Sequence, residues 1–224
     1  MLDTLEIKHN IIESNSHDAD GLRNVLAQTK TFMVNVMASP GAGKTTTILA
    51  LIEAMKKDIN FAVVEGDIES FVDSEKVKEA GVCAVQIQTG GACHLDVSML
   101  EPAIELIELD ETDCVFVENI GNLVCPAEFD LGADINAMVL SVPEGHDKIQ
   151  KYPLMFSMCD VLIINKCDYL TLPSNNFSTA FLRERMAALN PRAALFEISA
   201  YTHEGIDELA QWLYRAIKQK QQQD

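Results

Sequence analysis

The sequence predicts an α/β fold, a mostly parallel β-sheet flanked by helices on both faces in three layers. Three observations carry this. Short apolar runs alternate with amphipathic segments of helical period. A glycine-rich turn joins the first core run to the first core helix. The residues able to do chemistry fall just after the apolar runs, where open parallel sheets bind ligands.

Residues 4–29 are polar with spaced apolar positions. They predict one or two amphipathic helices, interrupted near 14–20. TFMVNVMA (31–38) then reads as a buried strand and KTTTILALIEAMKK (44–57) as a helix. NFAVVEG (60–66) is a strand, ESFVDSEKVKEA (69–80) a helix and CAVQIQT (83–89) a strand. MLEPAIELIELD (99–110) is a helix with Pro102 near its start, where proline is tolerated. CVFVE (114–118), AMVLSV (137–142) and VLIIN (161–165) are short apolar strands, and YPLMFSMC (152–159) is a short helix. FSTAFLRERMAALN (177–190) is a helix, ALFEIS (194–199) a strand and EGIDELAQWLYRAIKQK (204–220) a closing helix. The expected organisation is an N-terminal helical extension (1–30), a single domain (31–220) and a frayed tail (221–224).

The chain has 224 residues, 48% of them hydrophobic, enough for a buried core. A net charge of −17 excludes nucleic acid as an expected partner and favours a basic protein or a cation. No apolar run reaches the roughly 18 residues of a membrane span, so no membrane association is expected. The N-terminus lacks the apolar region of a secretory signal. Six cysteines without scaffold spacing predict reduced thiols and a cytoplasmic location.

ASPGAGKTT (38–46) matches the phosphate-binding loop pattern G-x-x-x-x-G-K-[ST], except that Ala38 replaces the first glycine. Gly41, Ala42 and Gly43 are expected to turn backbone N–H groups toward phosphate oxygens, with Thr46 beside them. Lys44 supplies a point charge, and the Thr45 hydroxyl can ligate Mg2+. NKCD (165–168) has the N-K-x-D form that reads guanine. An Asp168 carboxylate accepts from the guanine N1–H and amino group, and adenine lacks those donors. Asn165 is expected to hold the loop and the far base edge, and Lys166 to lay its stem on the base. ISAYTHEG (198–205) resembles the loop whose backbone N–H reads guanine O6, through Ser199 and Ala200. The site therefore predicts GTP and GDP as ligands, in a P-loop NTPase fold.

EGD (65–67) ends the second strand, and Asp67 is expected to ligate Mg2+ or orient water. In ENIG (118–121), Glu118 stands where GTPases place the acid that reaches Mg2+. Gly121 is placed to donate its N–H to the γ-phosphate, so this loop is expected to move on hydrolysis. No glutamine or arginine finger is evident in cis, which predicts slow hydrolysis.

Cys83, Cys114, Cys159 and Cys167 lie in or beside apolar strands or the base loop and read as small hydrophobes. Cys93 and His94, in TGGACHLD, and Cys125, at the end of ENIGNLVCP, differ. Two thiols and an imidazole at one end of the sheet suit a soft metal, with further ligands supplied by sharing the site across a two-fold dimer. His146 and His203 read as ordinary loop histidines.

SPGAGKTT, VVEGD, GGACHLD, ENIGNLVCP, EGHDKIQKYP and NKCD, in this order, resemble the HypB-type GTPases of [NiFe]-hydrogenase maturation, over roughly residues 30–215. The resemblance implies a SIMIBI-type, GTP-dependent homodimer. It implies Cys93, His94 and Cys125 as nickel or zinc ligands, a HypA-type partner and the hydrogenase large subunit as recipient. It also implies that Lys148 or Lys151 approaches the nucleotide of the other subunit. The pattern departs at Ser98, where some relatives carry a second histidine, and at His146, which replaces an acid. Residues 1–30 lack the cysteine motif or histidine-rich stretch of some relatives, so nickel storage is not expected. A urease-type accessory GTPase would carry C-P-H, absent here. A cobalamin-enzyme chaperone would lack the Cys-His pair. A metal-binding scaffold without GTPase activity is the alternative of a different class.

Overall fold

The computed structural model describes residues 3–66 and 81–222, with side chains from residue 12 onward. Seven parallel strands form one sheet in the order β3-β2-β4-β1-β5-β6-β7. They are β1 (Phe32–Ala38), β2 (Phe61–Glu65), β3 (Cys83–Gln86), β4 (Cys114–Glu118), β5 (Ile135–Ser141), β6 (Val161–Asn165) and β7 (Ala194–Glu197). The helices are α1 (Asp3–Gln28), α2 (Lys44–Met55), α3 (Val97–Ile104), α4 (Lys148–Lys151), α5 (Pro153–Met158), α6 (Thr179–Leu189) and α7 (Ile206–Gln221).

Central strands are largely apolar because both faces are covered. On β1, Val34 and Val36 pack with Ile48, Leu51, Leu209 and Leu213 of α2 and α7. Met33 faces the other way, among Leu22 and Leu26 of α1 and Leu100 of α3. Met37 faces that same way further along, with Met155, Phe156 and Leu182 of α5 and α6. Asn35, between them in sequence on this second face, is 1% exposed and bonds to Asn136. Chain order reverses at β1, which pairs with β4 on one side and β5 on the other. A ligand site is expected beyond its carboxyl end.

Several elements differ from the sequence reading. Residues 14–20 do not interrupt α1. Asn15, Ala19, Leu22 and Leu26 form one buried stripe, and Asn15 stays in it because its amide finds partners. The helix after Cys93 starts earlier and ends sooner than expected. Asp96 caps it by accepting from the Met99 N–H, and it closes at Ile104. Residues 148–158 contain two short helices meeting at Tyr152. The closing helix includes Gln221, whose side chain donates to Asp113 Oδ1 at 2.5 Å. The helix expected over 69–80 and the Asp67 side chain lie outside the described residues. Cys83 opens edge strand β3 and is exposed, not buried, because β3 has a neighbour on one side only. Among the described residues no helix is long and apolar enough to cross a membrane.

Candidate functional site

The loop after β1 is shaped by two left-handed glycines, Gly41 at φ 75° and Gly43 at φ 98°. A Cβ on Gly43 would lie 2.5 Å from Asn165 Nδ2, so the position excludes a side chain twice over. Gly43 leads into α2, leaving the first helical N–H groups without a side-chain cap and directed into the loop.

Asn165 is 2% exposed and joins three loops. Its Nδ2 donates to the Ala42 carbonyl at 3.0 Å and to Thr47 Oγ1 at 3.4 Å. Its Oδ1 accepts from the N–H groups of Lys166 at 2.7 Å and Ala200 at 3.1 Å. The Ala200 N–H is thus engaged within the protein. Lys166, in the left-handed region at φ 60°, donates its Nζ to the Gly41 carbonyl at 2.7 Å. Ser199 Oγ donates to Asp168 Oδ1 at 2.7 Å. Gly43, Thr46, Lys166, Asp168, Tyr169 and Tyr201 border an open cleft of about 330 Å3. That is within the usual size of a small-ligand site.

On the opposite side of the loop, Lys44 is 4% exposed, with its Nζ 3.7 Å from Glu118 Oε1. Thr45 Oγ1 donates to the same oxygen at 2.9 Å. Glu65 is the in-register partner of Glu118 on β2, and both carboxylates are buried. Buried ions need partners or a metal, and here a buried ammonium faces the paired strand ends. Sequence reasoning took Glu118 but passed over Glu65. The signal was available, since FAVVE and CVFVE are both apolar strands ending in glutamate.

Ser39 Oγ donates to Glu144, which also accepts from the N–H and hydroxyl of Ser141. EGHDK therefore opens against the phosphate loop. The two lysines beyond it stay local: Lys151 pairs with Asp147 at 2.5 Å, and Lys148 Nζ lies 5.6 Å from the Tyr152 ring centroid. His146 Nδ1 accepts from the Ser178 N–H and sets its ring edge-on to Phe177 and Phe181.

Gly121 packs against the phosphate loop. A Cβ there would stand 3.0 Å from the Pro40 nitrogen and Cγ, so the Gly121 backbone lies directly against the 38–46 loop. Four residues on, Cys125 opens a short 3-10 turn. Its Sγ accepts from Cys93 Sγ at 3.0 Å, and Cys93 Sγ lies 3.4 Å from His94 Nδ1. Ligand atoms of these three residues lie within 4.8 Å of one another. The His94 ring stacks on Phe129, centroids 3.8 Å apart. Burial lowers the His94 pKa, against the pull of Asp96 and Glu128, which favours the neutral, ligating imidazole. The Cys93 hydrogen bond, with some burial, raises the pKa of Cys125, so its proton must leave before the sulfur can ligate. Two sulfurs and an imidazole suit a borderline-soft divalent ion. Ser98, where a further ligand could have stood, donates its hydroxyl to Asp96 at 2.6 Å.

A family model described as CobW/HypB/UreG, nucleotide-binding domain, matches residues 32–197. The hydrogenase maturation factor HypB of Rhizobium leguminosarum is 38% identical over 96% of this chain and 73% of its own length. A crystal structure of HypB from Helicobacter pylori in complex with nickel superposes with a TM-score of 0.86 at 38% identity, covering 92% of this chain and 96% of that one. HypB from Archaeoglobus fulgidus gives 0.84 at 32% identity, covering 92% and 99%. A P-loop nucleotide site and a Cys-His-Cys cluster share one end of a seven-stranded parallel sheet, and with these likenesses the chain belongs to the CobW/HypB/UreG nucleotide-binding family and, within it, to the HypB maturation factors.

Proposed function

We propose that the chain is a GTP-hydrolysing nickel metallochaperone switch that serves [NiFe]-hydrogenase maturation. The observation that carries this reading is the single loop from Glu118 to Cys125. It supplies the partner of Lys44 and Thr45 at one end and a donor of the Cys93, His94, Cys125 cluster at the other.

Lys44 and the amides of Gly41, Ala42 and Gly43 hold the phosphates, with Thr46 at the cleft edge. Asp168, kept in place by Ser199, reads guanine. Asn165 positions the base loop, Lys166 covers the base, and Ala200 helps fix the loop opposite. Mg2+, when bound, supplies positive charge to the transferring phosphate. Thr45, Glu118 and Asp67 are the residues that would hold it. Water adds to the γ-phosphorus as the bond to the bridging oxygen breaks, and GDP leaves with the electron pair. The reading includes slow turnover, because no glutamine or arginine finger is evident in cis in the sequence.

Three donors in one protomer leave a four-coordinate ion incomplete. A second copy completes the set, which ties metal retention to a GTP-dependent homodimer. Lys148 or Lys151 then reaches the nucleotide of the other subunit. A HypA-type protein and the hydrogenase large subunit are the partners, in the cytoplasm. Zn2+ competes for the same thiolates. Relatives in Helicobacter pylori bear the name hydrogenase/urease maturation factor, which favours a urease as second client.

The test is phosphate release from GTP and from ATP by the wild type and by Lys44→Ala. The reading predicts GTP-selective turnover that falls by at least about 100-fold in the variant. Phosphate release absent with GTP, or equal with ATP, would contradict it.

A further inference from the structure

Three asparagines cross-link the two segments that carry the Cys93, His94, Cys125 cluster, and they differ in burial. Asn119 is fully buried, and both its amide oxygen and its amide nitrogen are engaged. Its Oδ1 accepts from the N–H of Leu95 at 3.2 Å and of Ile120 at 2.9 Å, and its Nδ2 donates to Asn35 on β1 at 3.1 Å. Asn15, on α1, accepts from the Val97 N–H at 3.0 Å and donates to the Asp130 carbonyl at 2.7 Å. The chain just after His94, and the chain well past Cys125, are thereby fixed to the core. These bonds are buried, apart from the part-buried one to Asp130, and leaving a buried partner unpaired would be costly.

Asn122 is different. It is half-exposed and follows Gly121, the residue seated on the phosphate loop. Its Nδ2 donates to the Cys93 carbonyl at 3.2 Å, while its Oδ1 accepts from the Val124 N–H at 2.8 Å. One amide therefore grips the Cys93 segment with one end and shapes the approach to Cys125 with the other.

We propose that Asn122 is the positioning residue that transmits nucleotide state to the metal site, working against a fixed frame set by Asn119 and Asn15. A displacement at Gly121 moves the next residue first. Asn122 passes it to the Cys93 carbonyl while Leu95 and Val97 stay pinned. The relative position of the two sulfurs then changes without loss of any ligand. This rests on the proposed coupling of GTP to nickel and names the side chain that carries it. It also gives α1 a role, since Asn15 is the clamp that keeps the far ends of both segments still.

The test is Ni2+ titration of the full chain, loaded with GDP or with a non-hydrolysable GTP analogue, for the wild type, Asn122→Asp and Asn122→Ala. The readouts are the ratio of apparent Kd values and the thiolate-to-nickel charge-transfer bands. Asn122→Asp keeps the acceptor for Val124 and loses the donor to Cys93. The expected wild-type ratio differs from one by about fivefold or more. Both variants keep the bands but bring the ratio within about twofold of one. A wild-type ratio in either variant overturns the proposal. So does loss of the bands in both, because a tie that only transmits leaves the three donors in place. A wild type without nucleotide dependence overturns the functional reading itself, and this proposal with it.

Discussion

The two ends of the site are built on opposite principles. At the end proposed to read guanine, Asn165 is buried and makes four hydrogen bonds that join three loops and α2, and Ser199 holds the Asp168 carboxylate. At the metal end, Cys93 is exposed, its carbonyl is held by one half-exposed side chain, and the protomer supplies three donors. The first end is preorganised and self-sufficient. The second, on the proposed function, is adjustable and completed by a second copy. A switch needs both: a rigid reader of one ligand, and a grip on the other that small displacements can alter.

The comparison is broken most severely at the reader. Asp168→Asn keeps the shape and removes the charge-assisted acceptor, and Ser199 can still bond to it. GTP affinity should fall by at least about 100-fold with little gain for ATP, and nickel binding by the GDP-free chain should be unaffected. Calorimetric titration of both nucleotides checks this. Unchanged GTP affinity would remove Asp168 from the base site.

The difference in exposure gives a second, smaller effect. Burial pushes the Cys159 pKa up to about 12 and that of Cys167 up to about 11, and raises that of Cys114 well above the ordinary thiol value. Thiolates are the reactive form, so these three should resist alkylation at neutral pH. Exposed Cys83 and Cys93 should react first. Bound nickel should protect Cys93 and Cys125 and leave Cys83 reactive, which mass spectrometry of labelled peptides can read. Protection of Cys83 instead would move the metal to the other end of β3.

Much of this contrast is legible in the sequence. The strand and helix alternation stands out because buried parallel strands must be apolar throughout, and the phosphate loop because its glycines and lysine leave little freedom. The α1 reading failed at 14–20 because polarity there looks like a break. A buried asparagine continues a helix only when distant partners satisfy it, and Val97 and Asp130 lie far off in sequence. The roles of Asn119 and Asn122 were hidden for the same reason: their partners, Asn35, Leu95 and Cys93, come from other segments. Periodicity records which face a residue takes, not what meets it there.

The smallest effect is in pH. The hydrogen bond from Cys93 raises the Cys125 pKa, so near neutrality Cys125 carries a proton that nickel must displace. Burial lowers the His94 pKa, so its imidazole is already neutral there. Nickel affinity should therefore rise with pH from about 6.5 to 8.5. His94→Ala should weaken binding without changing its slope above about pH 7. A slope set by His94 would reverse the assignment of the titrating ligand.

The most direct test of the central claim is nickel binding by the wild type in its GDP and GTP-analogue forms, with thiolate-to-nickel absorbance and molecular mass followed together and Cys125→Ala alongside. The account predicts that affinity and dimer fraction both change with the nucleotide, and that the variant loses the signal. Nickel binding that ignores the nucleotide, or survives the loss of Cys125, would contradict it.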